Sequence, residues 1–492
     1  MQTVWTKDYN EYNLPKVKED TKTPILIIGG GIAGLMCAYN LMREKKEFIL
    51  VEGEKLARGV SAYTTAQVSV AHGKLYEEIK KKHSHRLALE YYESQLEGLS
   101  IIRNIIKSEK INCDYKEEST IIHADKDKNL LSIIKQYELL KNYENINLLK
   151  SNKKPMKYRL GIEFSNQFIF NPIKYMNGII DLLIKNKEKI YENSRVIKIK
   201  KRENLYEVLI NNDYYIYAEK IIMACQYPIK NPDNLYFTKI YKSKSYAVSF
   251  KSKLKLSANY VSLDAPYIYI RSYDKDTLII GGYDHFTGVN TKNQNYYNQL
   301  TQKIFELDKN AIIGYKWFAE DCIPIDSMPY VGVYSRMNPN IILVTGFQKW
   351  GFTNSHIAAK NVINILNNVH HNDLYKTHRW ALFRDLKSTI RMMNHSLNGL
   401  IFSKIFIKSD NIKKININSG KAMKYKNKNI LVYRESKNKY IFLKNKCTHM
   451  GCSLIWNDID KVWESKCHGS IFDKYGKVIY GPATKDLETL YI

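Results

Sequence analysis

The stretch TPILIIGGGIAGLMCAYNLMREKKEFILVEGE, beginning at Thr23, leaves the N-terminal part of the chain little structural freedom. Residues 24–29 are a short β-rich apolar run. Gly29, Gly31 and Gly34 follow in GxGxxG spacing, residues 32–43 carry helical periodicity, and EFILVE predicts a second strand ending at Glu52. Each residue type has a physical reason. Gly29 permits the tight turn, Gly31 lets the backbone approach a pyrophosphate, and Gly34 lets helix and strand pack closely. The helix N-terminus then points its free N–H groups at phosphates. Glu52 stands about twenty residues on, where a carboxylate can accept ribose hydroxyls. A bare GxGxxG is a weak signal, and a ligand-free glycine turn is the competing reading. The strand before, the helix after and the acid beyond together predict an α/β Rossmann-like dinucleotide unit.

At 492 residues the chain is too long for one core, so two or three domains are expected. There is no run of about 18 apolar residues, and MQTVWTKDYNEYNL lacks a basic start followed by an apolar core. The expectation is a cytoplasmic protein with no membrane span. A net charge of +27 would signal nucleic acid or an anionic membrane if the lysines were clustered. They are scattered among Ile, Asn and the 38 tyrosines, which reads as a solvated surface. No specific nucleic acid is expected, although salt-sensitive nonspecific binding follows from charge alone. Of seven cysteines, Cys37, Cys113, Cys225 and Cys322 are isolated and read as buried or free thiols, while three crowd between 447 and 467.

The residues after the nucleotide motif, KLARGVSAYTTAQVSVAHG, resemble the second flavin-contacting segment of the D-amino-acid oxidase and glycine oxidase superfamily, with Thr64 and Thr65 at its centre. IIMACQYP (221–228) resembles a return strand and turn of such FAD domains. LVTGFQKWGFTNSHIAAKNVINIL (343–366) resembles their last strand, glycine turn and closing helix. The resemblance implies FAD, with backbone N–H groups at Gly346, Gly351 and Thr353 near the flavin and a helix from about Asn354. No second GxGxxG occurs, so the electrons are expected from an organic donor or a separate protein rather than NAD(P)H.

Residues 80–150 read as helix, strand and helix. KSYAVSF, YIYIRSY and TLIIGGYD read as strands of an antiparallel sheet. In the resembled superfamily such a sheet roofs the flavin and holds a small-molecule substrate. Arg271, among large aromatics, is a candidate clamp for a substrate carboxylate; a structural ion pair is the alternative. His72, His285, Lys349 and Trp350 are further candidates beside the flavin. The expected layout is an N-terminal arm (1–22), an FAD domain (23–80, 151–228, 335–368), an interleaved α+β substrate domain (81–150, 229–334), a linker (369–408) and a small all-β domain (409–492).

That last domain contains KCTHMGCSLIWNDIDKVWESKCHGS. Its loops resemble the Rieske [2Fe–2S] domain, whose cluster takes two cysteines on one iron and two histidines on the other. Cys447 and His449 form the first half. After a gap of fifteen residues, Ser465-Lys466-Cys467-His468 forms the second, and Gly481-Pro482-Ala483 resembles the covering loop. The resemblance implies Cys447, His449 and His468 as ligands and a Cys452–Cys467 disulfide. Ser465, however, occupies the slot of the second ligand cysteine. Three outcomes stand open: a serine-ligated cluster of lower potential, Cys467 as substitute ligand, or a domain retained without a cluster. Phe472 replaces a tyrosine that donates to a ligand sulfur in higher-potential members, which also lowers the potential.

The resemblance therefore implies an FAD-dependent oxidoreductase. It would oxidise a small amine, amino acid or related C–N or C–O donor and exchange electrons with the Rieske domain, with a soluble electron-transfer partner possible. Two rivals remain: a flavin-only oxidase or dehydrogenase with a vestigial Rieske domain, and an RNA-modifying flavoprotein.

Overall fold

The computed structural model describes residues 2–152, 155–229, 235–289, 294–369, 373–379 and 381–491. The strand Thr21–Ile28 runs into the helix Ile32–Arg43 through the glycine turn, as the local pattern demands. This strand sits at the middle of an eight-stranded sheet. It pairs in parallel with Ile49–Val51 on one side and Tyr214–Met223 on the other. Tyr214–Met223 pairs in parallel with Asn338–Thr345, which carries the antiparallel edge strand Tyr330–Ser335. Parallel strands buried on both faces need continuous apolar runs, and Leu26, Ile27, Ile221, Ile222, Ile341 and Leu343 supply them.

A second sheet of nine strands is mostly antiparallel. Near one edge of it lies the long strand Ile240–Lys251, flanked by Thr277–Phe286 and by the edge strand Ile312–Pro324. The helix His85–Ser108 packs between the sheets' domains and against Gly351–Leu366. Several sequence boundaries move: most of Tyr330–Ser335, assigned above to the substrate domain, edges the first sheet, and Gln67–Val68, assigned to the FAD domain, pairs in the second. Tyr158–Ile169, assigned above to the nucleotide unit, pairs antiparallel with Lys116–Ala124 in the second sheet. The closing helix starts at Gly351 rather than near Asn354.

The C-terminal domain is all-β, with a three-stranded sheet (Ser419–Tyr425, Lys428–Arg434, Tyr440–Lys444) and a four-stranded sheet (Leu454–Asn457, Val462–Ser465, Ile471–Phe472, Val478–Tyr480). The whole is thus a Rossmann-like α/β unit with an interleaved α+β domain, followed by a small all-β domain. Among the described residues, no helix is long and apolar enough to cross a membrane.

Candidate functional site

The glycine turn opens into a cavity of about 690 Å³ that runs from the nucleotide motif to the second sheet. This is within the range of cofactor and ligand sites. At the motif end it is lined by Gly29, Gly31, Glu52 and Arg195. Gly34 lies below the surface, where a Cβ would fall 1.8 Å from the Gly29 carbonyl oxygen, so no other residue lets the helix close on the turn. Glu52 accepts from the N–H groups of Gly30 (2.8 Å) and Glu54 (2.9 Å), and burial pushes its carboxyl up. Glycine cradle, helix N-terminus and carboxylate are the parts a dinucleotide needs, so these residues fit FAD.

Thr64 and Thr65 line the middle of the cavity. Three buried donors fix their segment. Trp317 Nε1 donates to Tyr63 O (2.9 Å), and Trp5 Nε1, from the N-terminal arm, donates to Thr64 O (2.8 Å). Arg271 donates from Nη1 to Thr65 O (2.9 Å) and Ala66 O (2.5 Å), and from Nε to Ser272 O (2.7 Å). The carboxylate-clamp expectation for Arg271 is corrected here. The side chain is buried, is not among the cavity-lining residues, and spends its fork on backbone carbonyls of the flavin-contacting segment. Gly346 and Gly351 line the cavity, whereas Thr353 is buried outside it. His72 lines it, stacked on Trp350 at 4.2 Å, and burial pulls its imidazole down to about 3, so it is neutral. His285 stacks on Tyr246 at 5.7 Å and is not in the lining.

Residues that the sequence reading did not single out define the far end. Asp284 and Asp321 both line the cavity, with Lys349 ion-paired to Asp284. Burial pushes the Asp321 carboxyl up to about 7, with Lys349 opposing and Asp284 adding to the rise. Both acids stand on strands that flank Ile240–Lys251, and Asp321 is in register with Ser243. The strand Ile240–Lys251 has two uses. Ser243 and Ser245 face the cavity, while the alternate Lys242 and Lys244 are buried toward the Rieske domain. Lys244 Nζ meets Asp460 (2.5 Å) and Glu464 (2.7 Å) of that domain. Lys242 Nζ meets Glu320 at 3.0 Å. The Gly469 backbone of the second cluster loop lies so close that a Cβ there would come 2.6 Å from Lys242 Cβ. A single sheet therefore separates the cavity from the cluster loops.

Those loops meet at two histidine rings and a disulfide. Cys447 is a buried free thiol, and the rings of His449 and His468 stand edge to face at 5.1 Å. Cys452 and Cys467 form a disulfide with Cα atoms 6.1 Å apart. Cys467 is thus committed to the clip, and its reading as a substitute ligand is not the arrangement found. Sγ of Cys452 and Cys467 lie within 4.8 Å of His468, but sulfurs bonded to each other leave only the imidazole as donor. Ser465 Oγ and His468 Nε2 are buried without a hydrogen-bond partner among the described residues, as expected of atoms kept for a metal. The donor types, one thiol and two imidazoles, match three of the four that a Rieske cluster takes, and Ser465 offers a hydroxyl. Both histidine rings rest against Tyr227, at 6.0 Å and 6.5 Å, directly after the cavity-lining Ala224, Cys225 and Gln226. Ile479 and Tyr480 of the Rieske domain themselves line the cavity.

Comparisons agree with this geometry. Residues 24–365 match the FAD dependent oxidoreductase (DAO) family, and residues 406–491 match the Rieske [2Fe-2S] domain. The Bacillus subtilis (strain 168) protein YhfW, whose name describes a Rieske 2Fe-2S iron-sulfur protein, is 27% identical over 99% of this chain and 97% of its own. Gamma-glutamylputrescine oxidoreductase of Escherichia coli (strain K12) is 22% identical over 71% of this chain and 85% of its own. Among solved structures, glycine oxidase from Geobacillus kaustophilus superposes with a TM-score of 0.60 at 13% identity, covering 73% of this chain and 99% of that one. The chain belongs to the FAD dependent oxidoreductase (DAO) family and ends in a Rieske domain, so it is an oxidoreductase whose family implies FAD and whose last domain implies a [2Fe–2S] cluster.

Proposed function

We propose that the chain oxidises a small amine in the cavity beside Asp284 and Asp321 and exchanges the electrons with its own Rieske domain. The observation that carries the reading is the shared wall: Ile479 and Tyr480 of the Rieske domain line the same cavity as the glycine cradle. When bound, FAD takes two electrons as a hydride and a [2Fe–2S] cluster passes them one at a time. Cys447, His449 and His468 would hold the cluster, with Ser465 at the fourth position.

Substrate choice follows from charge. The far end of the cavity offers two carboxylates against Lys349, and the nearby Arg271 fork is already occupied. Such a site favours a cation over an anion. An ammonium must lose a proton before a hydride can leave the adjacent carbon. Asp321, poised near 7, can both hold the cation and accept that proton. Tyr269 and Trp350 supply apolar walls that exclude water. The name of the Escherichia coli relative, an oxidoreductase of a polyamine derivative, is in keeping with an amine.

The test is anaerobic mixing of the purified chain with a panel of primary and secondary amines and of carboxylic-acid donors lacking nitrogen. Loss of the oxidised-flavin absorbance and the reduced-cluster EPR signal are followed together. Amines should bleach the flavin and the EPR signal should follow. Bleaching by nitrogen-free donors alone would refute the substrate class. Flavin bleaching without iron in the protein would favour the rival reading, a flavin-only enzyme, which Ser465 independently supports.

A further inference from the structure

The connector between the two functional parts carries a feature that the oxidoreductase reading leaves unused. Residues 381–406 are nearly all helical: Ala381–Arg384, Leu386–Leu397, a π-helical turn at Asn398–Phe402, and Ser403–Ile405. Its inner side is buried through Ala381, Thr389 and Met392. Its outer side presents Phe383, Leu386, Ile390, Met393, Leu397, Ile401, Ile405 and Phe406, each between 42% and 72% exposed. From Leu386 to Ile405 these recur at steps of three or four residues, with Phe406 next to the last, so they form one stripe about 30 Å long. Single exposed apolar residues need no explanation, but a continuous stripe does.

The charge around the stripe says what covers it. Between Ala381 and Ser409 the sequence carries Arg384, Lys387, Arg391, Lys404 and Lys408 against Asp385 alone. Asp385 is itself neutralised, capping the helix at Ser388 N (2.9 Å) and pairing with Lys82 (3.1 Å). Arg384, Lys387 and Arg391 are exposed, and so are Lys80 and Lys81 on the adjoining helix Leu75–Lys82. A second copy docking stripe to stripe would bring these cations together across a two-fold axis, at a cost. An apolar helix face with basic flanks matches instead an anionic bilayer, whose acyl boundary takes the stripe and whose headgroups take the cations.

We propose that the helical connector 381–406 is a docking element that lies in the plane of an anionic lipid surface without crossing it. The site is placed beside the cluster: Ser396 O stands 3.4 Å from Cys467 Sγ, and Ser453 of the first cluster loop donates to Gly399 O (3.0 Å). Docking would therefore hold the Rieske loops next to the membrane.

Flotation of the full holoprotein with phosphatidylglycerol-containing vesicles and with pure phosphatidylcholine vesicles tests this, and its readout is independent of activity. Expected are co-flotation with the anionic vesicles, at least about tenfold weaker partition to the neutral ones, and release as salt rises. The exposed double substitution Leu386→Ser and Ile390→Ser should lower anionic partition by about tenfold, with circular dichroism and flavin absorbance unchanged. Absence of flotation of the wild-type chain at low salt overturns the proposal without reference to any variant. So does undiminished flotation of a folded variant, since the overall charge would then be the cause. A lipid-free dimer that the double substitution dissociates would likewise overturn it and assign the stripe to a subunit interface.

Discussion

Replacing Lys244 by methionine removes the positive charge held between Asp460 and Glu464 at the boundary of the two folded parts. The side chains are 0%, 2% and 2% exposed, so solvent does not screen the cluster. Removing one member of such a buried group leaves an uncompensated charge, which costs about 3–5 kcal/mol. The lower end applies here. Asn457 still donates to both acids, Tyr297 to Asp460 (3.1 Å) and Gly288 N–H to Glu464 (3.0 Å), and one carboxyl can take up a proton. The ammonium also sits 3.9 Å from the Phe318 ring centre, an attraction lost with it. About 3 kcal/mol corresponds to a hundredfold larger population in which the Rieske domain has undocked. Native-state hydrogen exchange reads that population directly at the Gly288 amide, which the interface protects. Exchange there should quicken about a hundredfold, while amides in the strand Thr21–Ile28 should not change. Adding Asp460→Asn and Glu464→Gln should restore most of the protection, because a neutral, well-packed cluster replaces a charged one at little cost. An increase below about fivefold in Lys244→Met would refute the reasoning and mean that the boundary is wetter than the structure describes.

Ser465→Cys puts a thiolate in place of the hydroxyl at the fourth position, so iron per chain should rise relative to the parent, with a stronger Rieske-type EPR signal; no gain in either would mean that the ligand register is wrong. Asp321 is neutral below and ionised above its raised value of about 7, so kcat/KM for an amine should climb through an acid limb near pH 7. Lys349→Met should move that limb up and Asp284→Asn should move it down, as a pH profile of each variant will read. Arg271→Lys keeps the charge but loses the fork on Thr65 and Ala66. It should cost about 2–3 kcal/mol in thermal or denaturant stability and loosen FAD, while the KM of an amine stays within about twofold; a selective KM rise would restore Arg271 as a substrate residue.

What the sequence made legible is what local chemistry specifies. The strand–glycine–helix unit is fixed by neighbours within thirty or so residues, and the structure returns it nearly to the residue, with the helix at Ile32–Arg43. The two cluster loops are likewise short, so the Cys452–Cys467 clip and the facing histidines follow from the motif that the resemblance supplied. Arg271 was misread because a strand pattern gives the face a side chain takes but not what the opposite loop offers. Here the loop offered the unpaired carbonyls of Thr65 and Ala66. Asp284 and Asp321 were invisible for a related reason: each is unremarkable in its own strand, and they line one cavity only because both strands flank Ile240–Lys251. KSKSYAVSF is the sharpest case. Its lysines look like a solvated face, yet the alternation that puts Ser243 and Ser245 on the cavity must put Lys242 and Lys244 on the other side of the sheet. A lysine is tolerated there only because the Rieske domain brings Asp460 and Glu464 to it. The same strand thus encodes a wall of the cavity and the contact that fixes the Rieske domain. A change on either face should therefore be felt on the other.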